Sequence, residues 1–295
     1  MTAQGMTPQD LSNVLVEGLQ KISPAVVRVA ARRRYPLSGM VWGGGFIVTT
    51  NRAVEEEEIE VTLGGDAAHK ATLVGRDPAT DLALLKLDAD LPAPEWTEAP
   101  QLGQLVLRVG RPGELRSSLG IVGGLGGPWR TALGGRVART LQTDAAAFRG
   151  FSGGPLVTPA GEVLGINTAA LTREAPVTLP TETVRRVVQT LQTYGRMRRG
   201  HLGLGGQSVR LSAEVHEASG QPAGLLVTSV EPGTPAADAG LLVGDTLLRF
   251  GDARVQHPGQ LAALLDEEII SQTVTVALVR AGTLSELNVT VAERP

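Results

Sequence analysis

The sequence predicts a mostly β protein built as two domains, and three observations carry that expectation. Its apolar runs are short, and Gly, Pro and Asp separate them. With 37 glycines among 295 residues and aromatics at 3%, this is the punctuation of strands joined by turns. The length exceeds what one ordinary core serves, so about two domains follow. The pattern also changes across a polar, basic stretch, Arg196-Met-Arg-Arg-Gly-His201, which reads as an interdomain hinge.

The elements follow in chain order. Residues 1–24 form an N-terminal helical segment. Thr7 can cap a helix, Pro8 suits its first turn, and Asp10 complements its positive end. Leu11, Val14, Leu15, Leu19 and Ile22 recur at helical spacing, which gives a stripe to pack on the domain, and Pro24 stops the helix. Residues 25–198 form the first domain. Strands are expected at Ala25–Ala30, Phe46–Thr50, Ile59–Leu63, Leu82–Leu87 and Glu162–Ile166, and a helix over Pro180–Tyr194 has Val184, Val187, Val188 and Leu191 on one face. Residues 199–295 form the second domain. Its strands are expected at Gly224–Val230, Gly244–Phe250, Thr273–Arg280 and Glu286–Val291, with a short helix at Ala236–Ala239 and another near Gly259–Glu267.

Composition narrows the function classes. Lys and Arg number 27 against 30 Asp and Glu, a net charge of −3, so no basic field draws in nucleic acid or anionic lipid. There is no cysteine, which excludes disulfides, a thiol nucleophile and thiolate metal sites. No apolar run approaches the roughly 18 residues that span a membrane. The N-terminus has no basic start, apolar run or small-residue cleavage site, and the expectation from it is a cytoplasmic protein. No cofactor or metal site is expected. Arg32-Arg33-Arg34 and Glu55–Glu58 read as solvated turns rather than an anion site or a calcium site.

The chemistry concentrates in three segments. In Gly150-Phe-Ser152-Gly-Gly-Pro-Leu-Val, glycines flank a serine, letting the backbone turn sharply and approach a substrate carbonyl. The N–H groups of Gly150 and Ser152 can then stabilise a developing oxyanion. Together with Leu141-Gln-Thr-Asp-Ala before it and Gly161-Glu-Val-Leu-Gly-Ile-Asn-Thr-Ala after it, this segment resembles the nucleophile region of the HtrA-type, trypsin-like serine proteases. Gly75-Arg-Asp-Pro-Ala-Thr-Asp81-Leu-Ala-Leu-Leu-Lys-Leu resembles the segment that carries the family's catalytic aspartate, which puts Asp81 in that place. The third segment breaks the pattern. Where the family reads Thr-Asn-x-His-Val-Val, this chain reads Thr50-Asn-Arg-Ala53-Val-Glu, so Ala53 falls on the histidine position. An alanine cannot accept or return a proton. Of the four histidines, His201, His216 and His257 lie at or beyond the hinge and His69 lies well past the expected place. No lysine matches a base position either. Arg52, Glu55–Glu58 and Phe151 also depart from the family pattern, which suits natural divergence better than one engineered change.

Arg199-Gly-His-Leu-Gly-Leu, Gly224-Leu-Leu-Val-Thr-Ser-Val-Glu-Pro-Gly-Thr-Pro-Ala-Ala-Asp-Ala-Gly-Leu and Gly244-Asp-Thr-Leu-Leu resemble the PDZ domains attached to these proteases. The resemblance covers almost the whole chain after Pro24. It implies a chymotrypsin-like double β-barrel, with Ala53 and Asp81 from the first barrel facing Ser152 from the second, followed by an α+β PDZ domain. In the PDZ domain the loop Leu202-Gly203-Leu204-Gly205 would supply N–H donors to a peptide's terminal carboxylate, and Leu261, Leu264 and Leu265 would wall the groove.

The combined expectation is an HtrA-like protease homologue, proteolytically inactive, that binds unfolded or C-terminal peptide segments. Two alternatives stand beside it: an active endopeptidase with an unusual base (or an inactivated form of one), and a regulatory subunit joining active paralogues. The resemblance also implies a homotrimer and relatives that are often periplasmic or secreted.

Overall fold

The computed structural model describes residues 7–32, 35–56, 58–64, 67–89, 91–172 and 176–294. The chain divides into two compact units between Met197 and Arg198, within the basic hinge.

The first unit opens with helix α1, Pro8–Ile22. Thr7 and Asp10 close a reciprocal capping box: Asp10 N–H donates to Thr7 Oγ1 at 3.2 Å and Thr7 N–H to the Asp10 carboxylate at 2.9 Å. Leu15, Leu19 and Ile22 pack on the core, whereas Val14, expected in the same stripe, stands at the solvent side. Six strands then close a barrel: β1 (Val26–Ala30), β2 (Leu37–Gly43), β3 (Phe46–Thr50), β4 (Ile59–Thr62), β5 (Ala68–Asp77) and β6 (Leu82–Leu87), in the order β1-β2-β3-β6-β5-β4. All of β6 is buried except Lys86. Its nearly continuous apolar run follows from burial on both faces, since the strand is lined by the barrel interior and backed by the helix over Thr181–Tyr194.

The strands β7 (Leu105–Gly110) and β8 (Arg116–Gly126) start the second half, followed by the small hairpin β9 (Trp129–Arg130) and β10 (Arg136–Val137). Next come β11 (Thr140–Thr143), β12 (Pro155–Val157), β13 (Val163–Thr168), β14 (Val177–Pro180) and α2 (Thr181–Tyr194). These make a six-stranded sheet ordered β11-β8-β7-β12-β13-β14, curled so that β11 and β14 pack side by side. Val184, Val187, Val188 and Leu191 of α2 are buried, as their spacing predicts, and Gly195 ends the helix at φ 67°.

The second unit contains β15 (Gly200–His201), β16 (Leu204–Arg210), α3 (Ala213–Ser219), β17 (Ala223–Val230), α4 (Pro235–Asp238), β18 (Thr246–Phe250), β19 (Ala253–Arg254), α5 (Pro258–Leu264), β20 (Thr273–Arg280), β21 (Thr283–Thr290) and β22 (Ala292–Glu293). The main sheet runs β16-β17-β18-β20-β21, which leaves β16 at an edge. The helix expected to reach Glu267 ends at Leu264, because Leu265 leaves helical geometry and Asp266 caps a separate turn over Glu267–Ile269. Among the described residues, no helix is long and apolar enough to cross a membrane.

Candidate active site and peptide groove

Asp81 is delivered by a turn that a different aspartate builds. Asp77 accepts from Ala79 N–H at 3.0 Å and from Thr80 Oγ1 at 2.7 Å, which ties up the turn and leaves the Asp81 carboxylate free of that task. Asp81 itself sits at φ 57°, a left-handed conformation that aspartate tolerates better than most residues. Its Oδ1 accepts from Arg52 N–H at 3.2 Å and its Oδ2 from Thr168 Oγ1 at 2.6 Å. The residue is 3% exposed. Desolvation lifts its pKa above the ordinary 3.8; the hydrogen bonds from Thr168 and Arg52, and the Arg52 and Arg32 charges, offset only part of that rise. The Arg52 guanidinium reaches Oδ2 only at 3.7 Å, from a half-exposed position.

Ala53 ends a short 3₁₀ turn, Asn51–Ala53, that follows β3 directly. Asn51 N–H donates to Asp81 C=O at 2.9 Å, so this turn and Asp81 are one hydrogen-bonded assembly. The Ala53 methyl group is fully buried. His69, opposite Val61 on β5, makes no hydrogen bond to Asp81 or Ser152 among the described residues.

Ser152 lies in the loop between β11 and β12 and is partly exposed. The loop is fixed by close backbone approach. Gly153 has φ 87°, and a Cβ there would collide with Ser38 C=O; Gly150 has φ 92°, and a Cβ there would collide with Pro112. Ser38 anchors both sides of the nucleophile position: its hydroxyl donates to Gly150 C=O at 2.7 Å and its N–H donates to Ser152 C=O at 3.0 Å. Among the described residues, neither the Gly150 N–H nor the Ser152 N–H donates to the protein, and Ser152 Oγ has no hydrogen-bond partner. A cavity of about 270 Å³ opens beside the serine, lined by Gly150, Ser152, Phe148, Phe151, Thr168 and Arg108 among others. Thr168 therefore joins the two sequence-marked residues: it lines Ser152's cavity while bonding Asp81. Phe151 is buried and meets Phe148 edge-on, ring centroids 5.4 Å apart.

Two residues of this cleft carry no mark in the motif reading. Thr168 stood only at the end of a matched segment. Arg108 had a legible signal, an arginine inside the apolar run Leu105-Val-Leu-Arg-Val-Gly of β7. It is 2% exposed, and desolvation lowers its pKa to about 10.

In the second unit, Leu202 and Gly203 link β15 to β16, and Leu204 and Gly205, expected in the same loop, are the first residues of β16. Gly203 has φ 74°, and a Cβ would run into Thr234. Its C=O accepts from Glu231 N–H at 2.8 Å and the Leu202 C=O from Ala236 N–H at 2.8 Å, so the loop is held by its carbonyls. The N–H groups of Leu202 and Gly203 donate to nothing among the described residues. The outer side of β16 is unpaired, and α5 packs beside the strand. Leu204, Leu264 and Leu265 are half-buried around the core there. Leu261, expected in the groove wall, is buried in the core beneath it because its turn of α5 faces inward.

A β-barrel unit with a glycine-framed serine and a buried aspartate, joined to a sheet whose edge strand β16 lies beside a helix, defines a trypsin-like protease domain followed by a PDZ domain. Family models agree: a trypsin-like peptidase domain matches residues 37–166 and a PDZ domain residues 200–291. The chain is 30% identical over 267 residues to serine endoprotease DegS of Haemophilus influenzae, covering 85% of this chain and 75% of the relative. It is 34% identical over 264 residues to a probable periplasmic serine endoprotease DegP-like protein of Marinomonas, covering 85% of this chain and 55% of that relative. The chain thus spans about half the length of the DegP-like relatives. Among solved structures, the HtrA-type protease AlgW with a decapeptide superposes at TM-score 0.72 with 27% identity, covering 95% and 99% of the two chains. A serine endoprotease from Yersinia pestis superposes at TM-score 0.72 with 29% identity, over 95% and 98%. This chain belongs to the HtrA family of serine endoproteases. The cytoplasmic location expected from its N-terminus is not supported, since the DegP-like relatives are named as periplasmic.

Proposed function

We propose that this HtrA homologue does not cleave peptide bonds and instead binds extended or C-terminal peptide segments. The observation that carries the reading is the state of Ser152: among the described residues its hydroxyl has no proton acceptor, and the fully buried methyl of Ala53 falls on the position where the family's sequence pattern has a histidine. A serine hydroxyl is a weak nucleophile without an adjacent base. In a well-studied serine protease, loss of the histidine alone lowers turnover by about 10⁶, or about 8 kcal/mol of barrier. The free N–H groups of Gly150 and Ser152 can leave a residual of roughly 10³–10⁴ over water. Peptide binding is supported by the open edge of β16, the free N–H groups of Leu202 and Gly203 and the apolar side chains of Leu204, Leu264 and Leu265. Assembly as a homotrimer belongs to the same proposal, and a regulatory subunit in a mixed oligomer with active paralogues is a separate alternative to it.

The test is turnover of casein and of apolar peptide substrates, with fluorophosphonate labelling of Ser152 alongside. The expected result is no cleavage above background and no labelling. Turnover that vanishes in Ser152→Ala would establish the second reading, an active endopeptidase with an unusual base, which the retained Asp81 and the free oxyanion donors favour. Ala53→His is expected to restore only weak turnover, because Arg52 beside Asp81 and Phe151 beside Ser152 also differ from the family pattern.

A further inference from the structure

The first unit holds a buried arginine that no described residue satisfies. Arg108 is 2% exposed, and its Nε is buried without a partner. Among the described residues, no carboxylate, carbonyl or hydroxyl accepts from any of its guanidinium nitrogens. Its neighbour Arg111 shows the ordinary solution. That guanidinium is also partly desolvated, but it donates to Val26 C=O at 2.8 Å, Ser23 C=O at 3.1 Å and Ser23 Oγ at 2.9 Å. Other buried charges of the chain are matched in the same way: Asp245 by Arg280, Asp77 by its own turn. An unmatched buried cation destabilises a fold unless something completes it.

What remains around Arg108 is the cavity beside Ser152. Arg108 and Ser152 line the same space of about 270 Å³. Much of the rest of the wall is apolar, with Phe148, Phe151, Ala169 and Pro176, and no acidic side chain is among the described lining residues. Arg149 adds a second cation in the lining, held over the Tyr35 ring at 4.6 Å. A positive fork behind an apolar wall fits a carboxylate carried on a short aliphatic stem.

We propose that Arg108 anchors a carboxylate of a bound peptide in the cavity beside Ser152, making this cleft a second, anion-selective peptide subsite. The carboxylate comes from an acidic side chain, Glu or Asp, or from a free C-terminus. The proposal rests on the reading of the chain as a peptide-binding HtrA homologue and extends that binding from the β16 groove to the Ser152 cleft.

Fluorescence anisotropy on the full chain tests it, with short fluorescein-labelled peptides. The first has one central Glu and an amidated C-terminus, the second carries Gln instead, and the third lacks acidic residues and keeps a free C-terminus. The Glu peptide is expected to bind the wild type about tenfold tighter than the Gln peptide, and Arg108→Met is expected to erase that preference while Arg108→Lys retains part of it. If the third peptide also weakens on Arg108→Met, a C-terminal carboxylate occupies the site; if only the Glu peptide does, an acidic side chain does. Equal binding of Glu and Gln peptides by the wild type, with no effect of Arg108→Met on the third, overturns the proposal. So does a Glu preference that survives in Arg108→Met. Removing an unmatched buried charge should leave the Arg108→Met thermal midpoint at or above the wild type. Should that variant not fold, Arg108→Gln takes its place with the same three peptides and the same readings. Mass spectrometry of the recovered peptides separates this from the preceding proposal, because fragments mean proteolysis whereas binding of all three peptides that ignores Arg108→Met means no carboxylate anchor.

Discussion

At the scale of single residues, Asp81 retains its place without an imidazole to orient. Desolvation raises its pKa above 3.8, so the folded state holds the proton more tightly than the unfolded chain does. With the folded state binding more protons, stability falls as pH rises from the unfolded pKa through the folded one, and the full penalty remains at neutral pH. Asp81→Asn should therefore lack this decline and match or exceed wild-type stability at pH 7, since asparagine also tolerates φ 57° and can still accept from Arg52 N–H. Thermal melts of both proteins between about pH 4 and 7 check this; a wild type that gains on the variant as pH rises would mean that the charge is stabilising. The sequence marked Ser152, Asp81, Gly150 and Ala53, because chemistry demands particular residue types in a particular local frame. It did not mark Thr168 or Arg108. Thr168 acts through one tertiary hydrogen bond, and Arg108 stands out for lacking a partner among the described residues, a property that exists only after folding.

Among the elements, the loop Leu202–Gly205 and strand β16 behave as one device. The loop is fixed through its carbonyls, which leaves donors facing outward, and the strand has a free edge beside α5. Gly203→Pro is expected to abolish binding of C-terminal peptides, because proline removes an N–H and cannot adopt φ 74°. Amidating the peptide should weaken binding strongly as well, from a dissociation constant on the order of micromolar; isothermal titration checks both, and an amidated peptide that binds as well as the free acid would show that no carboxylate is captured. Element positions were readable where amphipathic or β-branched patterning was strong, as in β3, β6, α2 and β20. Helix α3 escaped notice because it buries none of its residues and so has no apolar stripe to read. Leu261 had the right spacing for the groove wall, but periodicity defines a face without saying which of its residues meet the core and which meet a ligand.

For the whole molecule, the two units carry separate cores and separate spectroscopic signatures. All three tryptophans, Trp42, Trp96 and Trp129, belong to the first unit. In the second, Arg280 donates to Asp245 through two nitrogens at 2.8 Å, and Leu242 N–H adds a third bond at 2.8 Å. Desolvation pushes the Asp245 pKa up, but the Arg280 and Leu242 bonds outweigh it and hold the carboxyl below 3.8. Its contribution is then present above that value and lost as pH falls through the folded pKa. Asp245→Asn should lower stability of the second unit at pH 7 by about 1–3 kcal/mol, a gap that closes in acid. Hydrogen exchange of residues 199–294 should report the loss while the tryptophan fluorescence midpoint stays in place; a shifted fluorescence midpoint would mean that the units unfold together. The unpaired edge of β16 has a further consequence, for solubility. A strand able to receive one peptide can also template another copy of itself, the first step toward a stacked aggregate. β16 carries two adjacent glycines, Gly205 and Gly206, and its ladder slips register between them. The extra residue, Thr228, lies on β17, and the bulge twists this edge pair, so a short ligand tail fits while flat sheet-to-sheet growth is disfavoured.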